Sequence, residues 1–361
     1  MAVSDGWGDN HSKYIDIFEK EFAAYIGVKH AVATSSCTGA ITLGLAALGI
    51  GPGDEVLVPD TNWIANVSPI VNLGAKPVFL DIDPVTWCIN PDLIQEKITP
   101  KTKAVMAVHL YGNVCELSRL LDICKENDLT LIEDAAEALG GSFNNRKLGG
   151  FGKFGVFSFH GSKTLTTGEG GMLVTNDDNI AGKVKMLNSH GRDPSNSKQF
   201  WSEVVGYKFK MTNLSAAIGV AQLRRIQELI DRKRQILKFY QDRLLVLPEL
   251  SMNPLQQFCE SGAWMPTVVF SKDSGVTREI LLENFKKENI DARVFFWPIS
   301  SMPPFNNGET RIHSYDIPSR AINLPSYHDI TEIEMNRVIE VIFNTVQNES
   351  NKLQKRDHTF E

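Results

Sequence analysis

The stretch HAVATSSCTGAITLGLAALGIGPGDEVLVPD, His30 to Asp60, sets the architecture. Ala31 to Thr34 is short and apolar and reads as a strand. It runs into a Ser/Cys/Thr/Gly turn. Ala40 to Leu48 has the spacing of a helix and stops at Gly49–Gly51, a glycine-rich helix end. EVLVPD is then a second strand. Strand, helix, strand in this order is the unit of a parallel sheet covered by helices.

The unit repeats outward from there. Tyr14 to Ile26 and Asn66 to Leu73 carry helical spacing, and PVFLDID, AVMAVHLYG and TLIEDAAEALG read as apolar, β-branched strands. Glu116 to Asn127 is a helix with an apolar face at Leu117, Leu120, Leu121 and Cys124. NNRKLGGFG reads as a hairpin-like interruption before the strand GVFSF. In such sheets the working residues gather at the carboxyl ends of the strands. Asp60, His109, Asp134 and Ser158 stand at or near those ends.

Past Asp193 the pattern loosens. Asn213 to Lys238 reads as one long helix, and the boundary falls near Leu247–Pro248. WMPTVVF and ARVFFWP are strands, Arg278 to Asn289 and Ile330 to Gln347 are helices, and the polar tail from Gln347 to Glu361 frays. The expectation is an α/β protein with a large, mostly parallel-sheet domain over residues 1–247 and a smaller α+β domain over 248–361. At 361 residues, two domains is the ordinary division.

Composition narrows the partners. A formal charge of −6 without a long basic run argues against nucleic acid and anionic membrane. No apolar stretch has the length of a membrane span, and the N-terminus is polar. Five scattered cysteines without CxxC spacing point to reduced thiols in the cytoplasm and to no metal site.

Four features carry chemistry. Lys163 lies 29 residues after Asp134, delivered by the apolar run FGVFSF into a loop of glycines and threonines. A dehydrated lysine has its charged form penalised, and a neutral amine attacks an aldehyde. A surface loop lysine is the alternative. Asp134 follows a buried strand, where a carboxylate either caps a helix or keeps a proton on a bound aromatic nitrogen. TSSCTGAI, Thr34 to Ile41, puts hydroxyls and a glycine at a helix start, which is either a cap or an anion site. Ser158 adds a hydroxyl there. Trp63 follows a strand end, where it packs in the core or stacks on a flat ligand. Together the four supply an amine, a ring-nitrogen partner, a phosphate cradle and a stacking ring. Those are the contacts that pyridoxal 5′-phosphate needs.

These residues stand in segments that resemble the DegT/StrS sugar-nucleotide aminotransferases, and within them the perosamine-synthase-like branch. GDEVLVP, GAKPVFLDID, KTKAVMAVHLYG, LIEDAAEALGG, FSFHGSKTLTTGEGGMLVTND, MTNLSAAIGVAQL and ARVFFWP occur in family order from about Gly6 to Val346. The resemblance implies an aspartate-aminotransferase-type fold (fold type I), a homodimer with sites at the subunit interface, and amino transfer from L-glutamate to a nucleotide-linked 4-keto-6-deoxyhexose, a step of O-antigen or lipopolysaccharide amino-sugar synthesis. It implies Lys163 as the lysine bonded to the cofactor and as the acid–base. It implies Asp134 on the pyridine nitrogen, Glu137 near the cofactor hydroxyl, and Trp63 and Ala136 on the two ring faces. Ser36, Cys37, Thr38 and Ser158 would hold the phosphate. Lys208 and Lys210 stand in GYKFKMTNL, where family members often have Asn and Arg and the segment reaches the neighbouring subunit's phosphate. His160, His190, Arg293 and Trp297 are substrate candidates, each with a structural alternative. Cys37 departs from the glycine usual in that turn. Members usually begin about 20 to 30 residues earlier, with a segment that helps frame the sugar site, comparable to two ordinary elements. A sugar dehydratase of the same fold and a non-catalytic cofactor-binding regulator are the competing readings. The dehydratases that replace the lysine with histidine are disfavoured by Lys163.

Overall fold

Alternate residues of each central strand are buried in opposite directions, and this places the sheet in the middle of the larger part of the chain. The computed structural model describes residues 2–193, 195–254 and 256–357. Its strands are β1 (His30–Thr34), β2 (Glu55–Pro59), β3 (Lys76–Leu80), β4 (Thr102–Val108), β5 (Thr130–Asp134), β6 (Ser142–Phe143), β7 (Arg146–Lys147), β8 (Phe154–Ser158), β9 (Gly171–Thr175), β10 (Leu250–Met252), β11 (Cys259–Glu260), β12 (Thr267–Phe270), β13 (Arg293–Val294) and β14 (Ala321–Asn323). The main sheet has seven strands in the order β1-β9-β8-β5-β4-β2-β3. β3, β2, β4, β5 and β8 are mutually parallel, and β9 runs against both β8 and β1.

Val56, Val58, Met106, Ile132, Val156 and Leu173 enter one core, with helices Cys37–Leu48 and Asp178–Leu187. Leu57, Val105, Leu131, Phe157 and Met172 enter the other, with helices Lys13–Ile26, Leu117–Glu126 and Asn213–Leu223. The period of two along each strand therefore serves two helical layers. The carboxyl ends of β1, β2, β4, β5 and β8 share one edge. β9 begins there, since Gly171 pairs with both Thr34 and Ser158.

A four-stranded antiparallel sheet, β10-β12-β14-β13, carries the C-terminal part. It packs on helices Ile226–Leu244, Arg278–Lys287 and Glu332–Asp357. A smaller cluster of Trp87, Tyr111, Trp264 and Phe295 joins the two sheets' surroundings.

Several elements differ from the sequence expectation. The helix after the first strand starts at Cys37, because Ser36 caps it by accepting from Gly39 N–H at 3.1 Å. The Asn66–Leu73 helix is a 3-10 turn, Ile64–Asn66, followed by a short helix, Ser68–Asn72, with Pro69 in its first turn. The long helix expected over Asn213–Lys238 breaks at Arg224–Arg225 and resumes to Leu244. Val220 and Leu223 before the break and Ile226, Leu229 and Ile230 after it enter one core, while Ile236, Tyr240 and Leu244 further along enter another. In ARVFFWP only Arg293–Val294 is strand. Phe295 turns into the joining cluster, Phe296 N–H donates to the Tyr111 hydroxyl at 2.8 Å, and Pro298 has no N–H to offer. The last helix continues to Asp357, past the expected fraying point, because Glu349 stays buried and Leu353 lies against Gly275. Residues 358–361 of that tail lie outside the described residues. No helix among the described residues is long and apolar enough to cross a membrane.

Candidate active site

A cavity of about 1490 Å³ opens at the shared carboxyl edge of the main sheet. Ser36, Cys37, Thr38, Trp63, Asn66, Asp134, Ala136, Glu137, Ser158, His160 and Lys163 all face it, from the segments at the ends of β1, β2, β5 and β8. Residues that sequence spacing left up to 127 positions apart, Ser36 and Lys163, thus share one wall system.

Lys163 is held by the loop between β8 and β9. Phe159 accepts from Thr167 N–H and donates to Gly170 O, each at 2.9 Å, so the loop closes on itself. Trp264 Nε1 donates to Ser162 O at 2.9 Å and fixes the loop to the C-terminal part. The Lys163 side chain is 13% exposed. Its Nζ lies 3.2 Å from Glu137 Oε1 and 3.5 Å from the centroid of the Trp264 ring. The amine is sheltered, and it has a carboxylate and an aromatic face as neighbours.

Asp134 ends β5 and is 7% exposed. Its Oδ1 accepts from Ala136 N–H at 2.8 Å and its Oδ2 from Asn66 Nδ2 at 2.7 Å. Burial pushes its carboxyl above the usual range, while the Ala136 N–H, Asn66, Lys163 and His109 pull the other way. Glu137, one helical-type turn on, is also raised by burial, with Lys163 as the largest opposing influence. Its Oε2 accepts from Tyr111 N–H at 2.8 Å. His109 lies behind this layer. Its Nε2 is 3.3 Å from Glu133 Oε1, and both side chains are fully buried. Glu133 also accepts from the N–H groups of Gly149, Phe151 and Gly152, so it organises the turn ahead of β8.

At the other end of the cavity, Ser36, Cys37 and Thr38 form the first turn of helix Cys37–Leu48. The turn is packed on Gly171: a Cβ there would meet Cys37 N and Ser36 C at 2.5 Å each. Only glycine lets the turn and β9 approach so closely. Ser36 Oγ serves as the helix cap while lining the cavity. Cys37 carries its thiol among buried groups, which pushes its ionisation well up. Ser158 Oγ accepts from His160 N–H at 3.4 Å.

Trp63 is 57% exposed, so it is a cavity wall and not core. Phe296 lies 5.9 Å from it, centroid to centroid. Ala136 lines the same cavity. Of the substrate candidates, His160, Arg293 and Trp297 reach the cavity. His160 is exposed, with Nδ1 3.0 Å from Ser162 Oγ and Nε2 3.7 Å from Glu169. Arg293 pairs with Asp291 at 2.8 Å, and Trp297 has the Arg278 guanidinium 3.7 Å over its ring. His190 is not brought to the cavity. It takes a left-handed conformation, φ 61°, and donates its N–H to Tyr207 O. Lys208 and Lys210 also lie off the cavity wall and are exposed, on a segment that runs beside Thr34 and Ser35.

Sequence reasoning missed Asn66, Tyr111, Trp264 and Phe296. Asn66 stands three residues after Trp63, but its contact spans 68 positions. Trp264 and Phe296 come from the C-terminal part, and only packing reveals which face they present.

These groups could hold a molecule with an aldehyde, a basic ring nitrogen and a phosphate. Lys163 offers an amine, Asp134 a sheltered carboxylate, and the Cys37 helix start a set of N–H donors. Among the described residues no cluster of His, Cys, Asp and Glu gathers for a metal.

Comparison with known proteins gives a consistent result. The model of the DegT/DnrJ/EryC1/StrS aminotransferase family matches residues 1–343. A GDP-perosamine synthase from Vibrio cholerae is 39% identical, covering 95% of this chain and 94% of its own. One from Caulobacter vibrioides is 38% identical, over 93% and 91%. A Bacillus subtilis relative named as a pyridoxal phosphate-dependent aminotransferase is 34% identical, over 96% and 92%. The crystal structure of the aminotransferase TlmJ from Streptoalloteichus hindustanus superposes with a TM-score of 0.90 at 28% identity, over 97% and 94%.

Proposed function

From the premise that this chain belongs to the DegT/DnrJ/EryC1/StrS aminotransferase family, we propose that it moves an amino group from L-glutamate to a GDP-linked 4-keto-6-deoxyhexose, with pyridoxal 5′-phosphate as cofactor. The observation that carries this reading is the meeting of Lys163, Glu137 and Asp134 in one cavity, in a chain 37–39% identical to three GDP-perosamine synthases. We take residues 1–247 as the cofactor domain and 248–361 as the small domain. A homodimer is part of the proposal, with Lys208 and Lys210 directed to the neighbouring subunit's phosphate. The compartment is the cytoplasm, where the free cysteines stay reduced.

The cofactor, when bound, supplies an aldehyde for the amine and a ring that accepts the electron pair left when a C–H bond breaks. The protein's residues do the rest. Asp134 accepts the ring nitrogen's N–H and, as an anion, keeps that proton in place. The first turn at Ser36, Cys37 and Thr38 binds the phosphate with Ser158, through N–H groups and hydroxyls. Trp63 and Ala136 confine the ring. Lys163 Nζ would take the proton from the glutamate α-carbon and hold it beside Glu137 for redelivery to the bound molecule from the same side of the cavity. In the second half-reaction it runs the transfer in reverse, delivering a proton to the sugar carbon that gains nitrogen. Glu137 steadies the Lys163 amine while it is protonated. His160, Arg293 and Trp297 line the side from which the nucleotide sugar enters.

The test is spectroscopic and chemical. The purified protein carries a visible absorbance band that L-glutamate abolishes. GDP-, UDP- and dTDP-linked 4-keto-6-deoxyhexoses are then offered in turn, and the GDP sugar restores the band and yields an amino sugar. A cofactor-loaded protein that does not respond to glutamate overturns the reading.

A further inference from the structure

Asn66 closes the 3-10 turn Ile64–Asn66, between the ring of Trp63 and the helix Ser68–Asn72, and is 1% exposed. Its Nδ2 donates to Asp134 Oδ2 at 2.7 Å. Its Oδ1 is buried and has no hydrogen-bond partner among the described residues. A buried amide oxygen left unpaired is costly. Turning the amide over does not relieve the cost, because Oδ1 would then face a carboxylate oxygen, acceptor against acceptor. The amide orientation is therefore tied to an ionised Asp134. An alanine at this position would leave no orphan oxygen, so packing gives no reason for the asparagine, and what alanine would remove is the donor to Asp134 Oδ2.

We propose that Asn66 is a positioning residue for amino transfer: it fixes the orientation of the Asp134 carboxylate and holds it as an anion, ready for the N–H of a bound heteroaromatic ring. The proposal rests on the reading of the site given above. The ionisable groups that face Asp134 are Lys163, His109, Glu137, Cys37 and Cys115. Lys163 and His109 favour the anion, and Glu137 opposes it. Lys163 moves protons during turnover, so its support is intermittent. The Ala136 N–H is a constant of the main chain. Asn66 is the neutral side chain that supports the anion at every stage.

The experiment compares Asn66→Ala and Asn66→Asp with the wild-type holoenzyme. In Asn66→Ala, kcat falls roughly ten- to a hundred-fold, and KM for L-glutamate changes by less than about two-fold. Its acid limb moves to higher pH, because Asp134 protonates more readily. In Asn66→Asp two carboxyl groups share the place and hold one proton between them. While that proton stays, the introduced carboxyl donates to Asp134 as the Asn66 amide did, so activity exceeds that of Asn66→Ala on the acid side. As pH rises and the proton leaves, activity drops below it. Crossing profiles of this kind are foreign to a residue that merely packs.

A second readout needs no cofactor. The ¹³C carboxyl signal of Asp134, assigned by its loss in Asp134→Asn, titrates at higher pH in Asn66→Ala than in the wild type. Wild-type kcat and pH profile in both variants, or an unmoved Asp134 titration, overturns the proposal. A wild-type protein without any response to glutamate overturns instead the reading of the site. The carboxyl titration then still decides whether Asn66 sets the state of Asp134.

Discussion

Lys163 Nζ and Glu137 Oε1 are 3.2 Å apart in a sheltered site, and the second Glu137 oxygen is held by Tyr111 N–H. Removing the lysine therefore has two effects. In the proposed mechanism Lys163→Ala removes the amine that would bond the cofactor and move protons, so turnover is expected to fall by about 10³-fold or more. It also leaves Glu137 buried without its cation, which costs about 3 kcal/mol when the carboxyl is ionised. Burial already raises the Glu137 carboxyl, and losing Lys163 raises it further. A carboxyl raised in the folded state contributes stability at low pH that is lost as pH climbs through its folded value. The melting temperature of cofactor-free Lys163→Ala is thus expected to fall further below wild type at about pH 8 than at about pH 5. An equal deficit at both would show that the pair is not sheltered.

Trp63 offers a cleaner separation of binding from folding. It is 57% exposed, so Trp63→Leu removes little core and changes stability by less than about 0.5 kcal/mol. A stacked ring contributes about 0.5–1.5 kcal/mol beyond its area. Fluorescence titration with pyridoxal 5′-phosphate is expected to show a roughly three- to ten-fold weaker dissociation constant. An unchanged constant, with unchanged melting, would remove Trp63 from the ring contact.

The sheet was readable because β-branched runs repeat between helices, and each strand end marks the edge where polar residues collect. That is why Asp134, Ser158 and the turn at Ser36–Thr38, which share one cavity in the structure, are legible in the sequence as residues of that edge. Chain breaks were not readable. The stop at Arg224–Arg225 lies inside an unbroken helical pattern, and the change of core comes later, within the second helix between Ile230 and Ile236. Side-chain partners across long separations were also hidden. Asn66 and Asp134 are each ordinary polar residues near a turn, and only the sheet order β5-β4-β2, which sets the segment after β2 near the end of β5, brings them together. His190 shows another limit: its motif suggests the site, and in this chain it lies off the cavity wall, in a left-handed turn at φ 61° with its main-chain N–H on the Tyr207 carbonyl.

Two aspartates at strand ends anchor the C-terminal part: one holds the turn after Trp297, the other the helix Ile312–Ser319, which meets that turn where the Ser300 and Tyr315 hydroxyls lie 3.0 Å apart. Asp60, after β2, accepts from Ser300 N–H at 2.8 Å and from its hydroxyl at 2.6 Å. Asp81, after β3, accepts from His313 N–H, Ser314 N–H and the Ser314 hydroxyl at 2.7 to 2.9 Å. Asp81→Ala leaves these donors unpaired and is expected to destabilise by about 2–4 kcal/mol. At temperatures where the variant is still folded, KM for the nucleotide sugar rises while the glutamate half-reaction, followed by the cofactor's absorbance, keeps its rate. Equal damage to both half-reactions would mean that this part of the chain does not act on the sugar side alone.

Glu19 gives a prediction of opposite sign. It lies half-buried in helix Lys13–Ile26, where Oε1 accepts from Ala33 N–H at 2.8 Å. Burial pushes its carboxyl up from 4.5 to about 7, against the smaller pull of that N–H and of Lys185 and Lys210. The folded chain therefore holds a proton that the unfolded chain releases between about pH 4.5 and about pH 7. Across this window stability declines as pH rises, and above it the whole penalty is present. Glu19→Gln keeps an oxygen for Ala33 N–H and carries no charge. It is expected to stabilise the protein by about 1–2 kcal/mol at about pH 8 and to match wild type near about pH 4. Denaturant melts at the two pH values read this directly. A variant that is less stable at the higher pH would show that the Glu19 charge has a cation close enough to outweigh its burial, with Lys210 the first to examine by Lys210→Met.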